Sequence, residues 1–199
     1  MSSYDNFISD FPKRCDDILK NFFPLANARK REVTLMLAVA TAGFSVPFER
    51  LRAEQHPARD RELFDDAARQ FDVLLESPFL ESPLWDAPAA SWAFSNKIEN
   101  IQQELDFWPE LRQPKPLSKE KTTKSVLKHL RNALAHGNVF TRGNPIDLLV
   151  FLSRPSEDRS SFAMMAVTPS DLYQFLRKWF AFLGSLKMPT DVSEESIVA

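Results

Sequence analysis

The residues with most chemistry to offer lie between Lys115 and His136. Lys115, Lys119, Lys121, Lys124, Lys128 and Arg131 stand there against one acid, Glu120. Much of that charge falls early in a helical pattern, where the macrodipole disfavours each cation by roughly 0.3 kcal/mol. A basic segment placed against the dipole, in a chain of net charge −2, points to an anionic partner; a solvated helix face is the alternative reading. On a wheel of about 100° per residue, Val126, Leu127, Leu130, Ala133, Leu134 and Gly137 share the core arc. Lys121, Lys124, Lys128 and Arg131 form the next arc, and His129, Asn132 and His136 the one beyond. Both polar strips are therefore expected to face away from the bundle core. Asn132 and His136 are at i and i+4, so the amide can hydrogen-bond the ring and fix its tautomer. Arg131 and His136 stand about 140° apart and do not converge within one straight helix. A site combining them is easier to build from two helices across a dimer axis, or with the helix distorted at Gly137. His129 and His136 are about 10 Å apart along the axis, too far to share an ion. With no zinc-binding spacing, P-loop or GxGxxG in the chain, neither a metal nor a cofactor is expected.

The elements that must carry these strips read as mostly helical. Four glycines in 199 residues leave little material for the turns of an all-β fold. A first helix is expected from Asp10, with Pro12 in its first turn and Pro24 closing it. A second runs from about Ala28 to Ala42. It is apolar on every side and so belongs in the middle of a bundle or at a subunit interface. A third spans Asp60 to about Leu75. Pro78, Pro83, Pro88, Pro109, Pro114 and Pro116 then predict an irregular middle with at most short helices, one of them around Ile98 to Phe107, and Trp85, Trp92 and Trp108 as core anchors. The basic helix is expected to start at a Ser118 cap and end at Gly137, as the second helix ends at Gly43. The apolar runs IDLLVFLSR and SFAMMAV read as a hairpin. Thr168-Pro169-Ser170-Asp171 opens a last helix carrying Leu172, Phe175, Leu176, Trp179, Phe180 and Leu183. The expected fold class is therefore mainly α, a helical bundle with a small β-hairpin inserted before the last helix. It forms a single domain over residues 1–187, followed by an acidic tail over 188–199.

Composition bounds the rest. With 44% hydrophobic and 26% charged residues, the chain suits a globular domain rather than a disordered or fibrous one. The single cysteine, Cys15, can form no internal disulfide and reads as a small buried thiol. The N-terminus has no apolar signal region, and Val33 to Val39 is too short to span a membrane. A cytoplasmic protein is the expectation.

The segment Arg131-Asn132-Ala133-Leu134-Ala135-His136, ending a long helix before Gly137, resembles the motif of the HEPN superfamily: an arginine, a polar residue, and a histidine after four to six intervening positions. The close resemblance covers roughly residues 117 to 183. It implies a helical bundle of the HEPN type and a metal-independent endoribonuclease acting as a homodimer, with the motif helices of two subunits about a two-fold axis. Arg131, Asn132 and His136 would be catalytic, and Lys121, Lys124 and Lys128 would bind RNA. The residue types suit the chemistry: imidazole moves protons at neutral pH, and a guanidinium offers a fork of donors to a phosphorane-like transition state. The resemblance further implies a toxin or phage-defence setting with an antitoxin or regulatory protein as partner. Relatives paired with a nucleotidyltransferase antitoxin place a tyrosine two residues after the histidine; here that residue is Asn138. A non-catalytic HEPN dimer that binds RNA or protein is the alternative function.

Overall fold

The computed structural model describes residues 7–50, 65–85, 92–98, 101, 105–154 and 161–186. The N-terminal part of the third expected helix, from Asp60, and the tail at 188–199 lie outside these residues.

The helices are α1 (Phe7–Ala28), α2 (Glu32–Arg50), α3 (Asp65–Glu76), a short α4 (Pro109–Arg112), α5 (Thr123–Ala135) and α6 (Pro169–Ser185). Pro24 does not close α1, and Asp10 lies inside the helix rather than capping it. Lys20, whose carbonyl Pro24 leaves without an amide donor, is exposed, so water can satisfy that carbonyl. The helix stops instead at Lys30, which takes φ 56°. Arg31 N donates to Ala26 O and Lys30 N to Asn27 O at 2.7 and 3.0 Å, the paired bonds of a Schellman ending.

Packing explains α2. Val33, Met36, Val39, Ala40 and Phe44 are buried, and α1, α5 and α6 of the same chain pack on the helix. Its all-round apolarity is thus satisfied within one chain and gives no argument for a second copy. Gly43 is not a cap either, because α2 continues beyond it. A Cβ there would fall 2.6 Å from Phe180 Cζ, so this glycine permits the close approach of α6. Trp179 Nε1–H donates to Gly43 O at 3.0 Å across the same contact. Gly137 does cap α5: it takes φ 65°, with Gly137 N donating to Leu134 O and Asn138 N to Ala133 O.

The two strands expected before the last helix are β3 (Leu148–Ser153) and β4 (Phe162–Val167). They form the centre of a four-stranded antiparallel sheet, with β1 (Ala93–Ile98) and β2 (Val139–Arg142) at its edges in the order β1-β4-β3-β2. One face, with Leu149, Phe151, Met165 and Val167, joins the helical core. The other, with Val150, Leu152, Met164 and Ala166, packs on Leu105 and Trp108. Burial on both faces is why the central strands read as continuous apolar runs. β1 replaces the expected loop because its partners order it: Phe94 pairs with Met165, and Phe94 N donates to Lys115 O at 2.9 Å on the outer side. Of the expected helix around Ile98 to Phe107, Ile98 instead ends β1 and Leu105–Phe107 form a 3-10 turn, while residues 99, 100 and 102–104 lie outside the described residues.

Candidate nucleic-acid interface

The helix bearing the basic strip begins later than expected. Phe79 N donates to Lys121 O, and Thr123 N to Ser77 O, at 2.8 and 2.9 Å, which holds the approach to the helix extended. Thr122 rather than Ser118 is then the cap, its Oγ1 accepting from Ser125 N at 3.3 Å. Lys121 therefore stands off the helix, with its Nζ 4.0 Å from the centroid of the Phe94 ring and 3.5 Å from Asn96 Oδ1. Burial pulls its pKa down.

Within the histidine strip, His129 faces the sheet, not solvent. α5 packs on β3, which buries His129 to 6% exposure and corrects the expectation that it points away from the core. Its Nε2 lies 2.8 Å from Phe151 O, and its Nδ1 lies 2.7 Å from Ser153 Oγ. The carbonyl can only accept, so Nε2 carries the proton and Nδ1 accepts from the serine hydroxyl. Burial lowers the His129 pKa to about 4, so the ring is neutral at pH 7.

Beside this pair the helix and sheet leave a groove. Its larger part, about 440 Å³, is lined by Lys121, Ser125, Lys128, His129 and Asn132 on the helix side and by Phe94, Asn96, Ser153, Arg154, Ala163 and Met165 on the sheet side. A second part of about 350 Å³ shares Asn132, Ser153 and Arg154 and extends to His136, Asn138 and Phe162. The 13 residues of α5 make the helical wall about 20 Å long. Lys121, Lys128 and Arg154 line the groove, and no acid is among its described lining residues.

The expected site residues divide along this line. Asn132 and His136 share the groove, and Lys121 and Lys128 line its larger part. Lys124 turns away, its Nζ paired with Glu76 Oε1 at 3.2 Å. Arg131 is half-buried and lines neither part. The backbone joins Asn132 to His136, whose N–H donates to Asn132 O at 3.1 Å, but no hydrogen bond between the amide and the ring occurs among the described side chains. Sequence reasoning missed Ser153, Arg154, Phe94 and Asn96. The one local signal was the Ser-Arg pair closing an apolar run, and nothing local could show that α5 would lie on it. No group of three or more His, Cys, Asp or Glu able to hold a metal ion is found among the described residues. No helix among them is long and apolar enough to cross a membrane.

The class this architecture defines is shown by comparison with known families. The family model described as HEPN pEK499 p136 matches residues 1–187, and the chain belongs to this HEPN-type family. Domains of the superfamily are generally ribonucleases, which makes a nuclease or RNA-binding module the functional class. No curated protein matches the chain. No solved structure matches it.

Proposed function

We propose that the protein is a metal-independent endoribonuclease whose groove between α5 and the sheet takes the phosphate backbone of RNA. One observation carries this reading: two adjoining cavities that share Asn132, Ser153 and Arg154 form a groove lined by Lys121, Lys128 and Arg154 and by no described acid, in a chain of net charge −2, with His136 in the second cavity. Cations concentrated on one concave surface are the electrostatic footprint of a polyanion site. At the reacting phosphate the 2′-hydroxyl attacks phosphorus and the bond to the 5′-oxygen breaks. His136 moves the proton, and Asn132 beside it in the groove orients the chain. Arg131 lies on another side of the same helix, so its guanidinium reaches a phosphate in this groove from a second copy; a homodimer is part of the proposal. Cytoplasmic RNA is the proposed substrate, a toxin or defence effector the proposed role, and an antitoxin or regulatory protein that covers the groove the proposed partner.

The test is cleavage of a mixed RNA pool in EDTA by the wild type and by His136→Ala. Cleavage that survives EDTA and disappears in a folded His136→Ala variant is expected, since removing a proton-transfer group costs about 10²–10⁴ in rate. A folded variant that cuts at the wild-type rate overturns the assignment. A second reading, an RNA-binding HEPN module without cleavage, is favoured by the His136 ring, which makes no hydrogen bond to a described residue, and by Arg131, which lines neither part of the groove. Salt-dependent RNA binding with no cleavage under any condition selects it.

A further inference from the structure

The Ser153–His129 pair takes no part in the cleavage just proposed, yet it has the arrangement of an activated nucleophile. Ser153 Oγ–H donates to His129 Nδ1 at 2.7 Å, and His129 Nε2–H donates to Phe151 O at 2.8 Å. That is the sequence nucleophile, base, orienting acceptor, with a peptide carbonyl in the place a carboxylate often takes. The pair is not sealed in the core: Ser153 belongs to the wall of both parts of the groove, where Lys121, Lys128 and Arg154 supply positive charge. A phosphate ester carries negative charge for these cations to bind before any reaction, which a neutral carbonyl ester does not.

We propose that Ser153 is a nucleophile toward a phosphate ester held in the groove by Lys121, Lys128 and Arg154, with His129 as its base. The inference rests on reading the groove as an anion site, but not on His136. In the first step a bond forms between Ser153 Oγ and phosphorus, and the bond from phosphorus to the leaving oxygen breaks. The hydroxyl proton passes to His129 Nδ1 and then to the leaving oxygen. In the second step water attacks phosphorus and gives its proton to His129, and Ser153 Oγ departs and recovers a proton from the ring. No 2′-hydroxyl is consumed, so a 2′-deoxy phosphodiester is also a substrate for this route and not for the His136 route.

The experiment treats the full chain with a fluorophosphonate, in which Ser153 Oγ displaces fluoride from phosphorus. One phosphonyl adduct is expected by intact mass, mapped to Ser153 by peptide analysis and absent from Ser153→Ala. In a folded His129→Gln variant its rate should fall at least about 100-fold. Release of p-nitrophenolate from bis(p-nitrophenyl) phosphate should follow the same pattern. His129 also ties α5 to β3, so if His129→Gln does not fold, Ser153→Cys decides. Iodoacetamide should alkylate the introduced thiol at pH 7 faster than free cysteine, against the buried Cys15 as an inert internal control. No adduct on the wild type, an adduct elsewhere, an unchanged rate in folded His129→Gln, no p-nitrophenolate release, or alkylation of Ser153→Cys no faster than free cysteine overturns the proposal. His136→Ala should keep the label while losing 2′-hydroxyl-dependent cleavage, so failure of one route is distinguishable from failure of the other.

Discussion

His129 and His136 lie on one strip of α5, the first buried against β3 and the second exposed at the helix end. Burial makes His129 a stability switch with a definite sign. Its pKa is about 4 when folded and about 6.5 when unfolded, so between those values the unfolded chain binds more protons. Stability therefore rises with pH across this window. The contribution, roughly 3 kcal/mol, is complete above about pH 6.5 and is lost as pH falls through about 4. Calorimetry at pH 7 and pH 4.5 should show a fall in Tm for the wild type that is clearly smaller in His129→Gln; equal falls would mean that carboxylates elsewhere account for the acid sensitivity. The lysines give a second residue-scale outcome. Lys128→Ala should lower the salt slope of RNA affinity by about 0.7, the value for one phosphate on a single strand. Lys124→Ala should leave that slope unchanged, because Lys124 faces Glu76 of α3 and not the groove. Titrations of one RNA across a salt series measure both.

At the scale of elements, the contact between α2 and α6 depends on a missing side chain. Gly43→Ala ordinarily favours a helix, but here the added methyl meets the ring of Phe180, which is buried at 1% exposure and has little room to yield. A loss of about 1–3 kcal/mol is expected, read as a Tm lower by about 2–4 °C for each kcal/mol. An unchanged or higher Tm would mean that the helices separate at little cost. Lys30→Gly should act the other way and raise Tm, since it relieves a left-handed backbone at a helix end. These two positions show what could be read from the chain. Signals that act within a few residues were legible: Thr168 caps α6 through Asp171 N, Gly137 ends α5, and the central strands lie where the pattern put them. What depends on distant partners was not. Thr122 starts α5 because residues 77–79 hold its approach, β1 forms because β4 pairs with it, and Gly43 is small because Phe180 arrives from the other end of the chain. For the same reason the histidine strip was legible as a strip, while the sheet that His129 faces was not.

For the molecule as a whole, the proposed site needs two copies. His136 and Asn132 lie in the groove while Arg131 lines neither part of it, so sedimentation equilibrium at micromolar concentration should give a dimer. A monomer that cleaves RNA as well as the dimer would remove Arg131 from the reaction. The apolar sides of α2, already covered within the chain, do not argue for that dimer; the split site does. One further feature bears on the protein's own synthesis. The bundle is closed across nearly its whole sequence: α1 packs on α6, and Trp179 bonds to Gly43, 136 positions away. At about 5–20 residues per second, a ribosome takes roughly 7 to 27 seconds to travel from one partner to the other. Through that interval α1 and α2 lack α6, and for most of it the groove wall formed by Ser153, Ala163 and Met165 has not been made. On the proposed reading, a nascent chain that has not yet reached Met165 has no assembled groove with which to bind its own message.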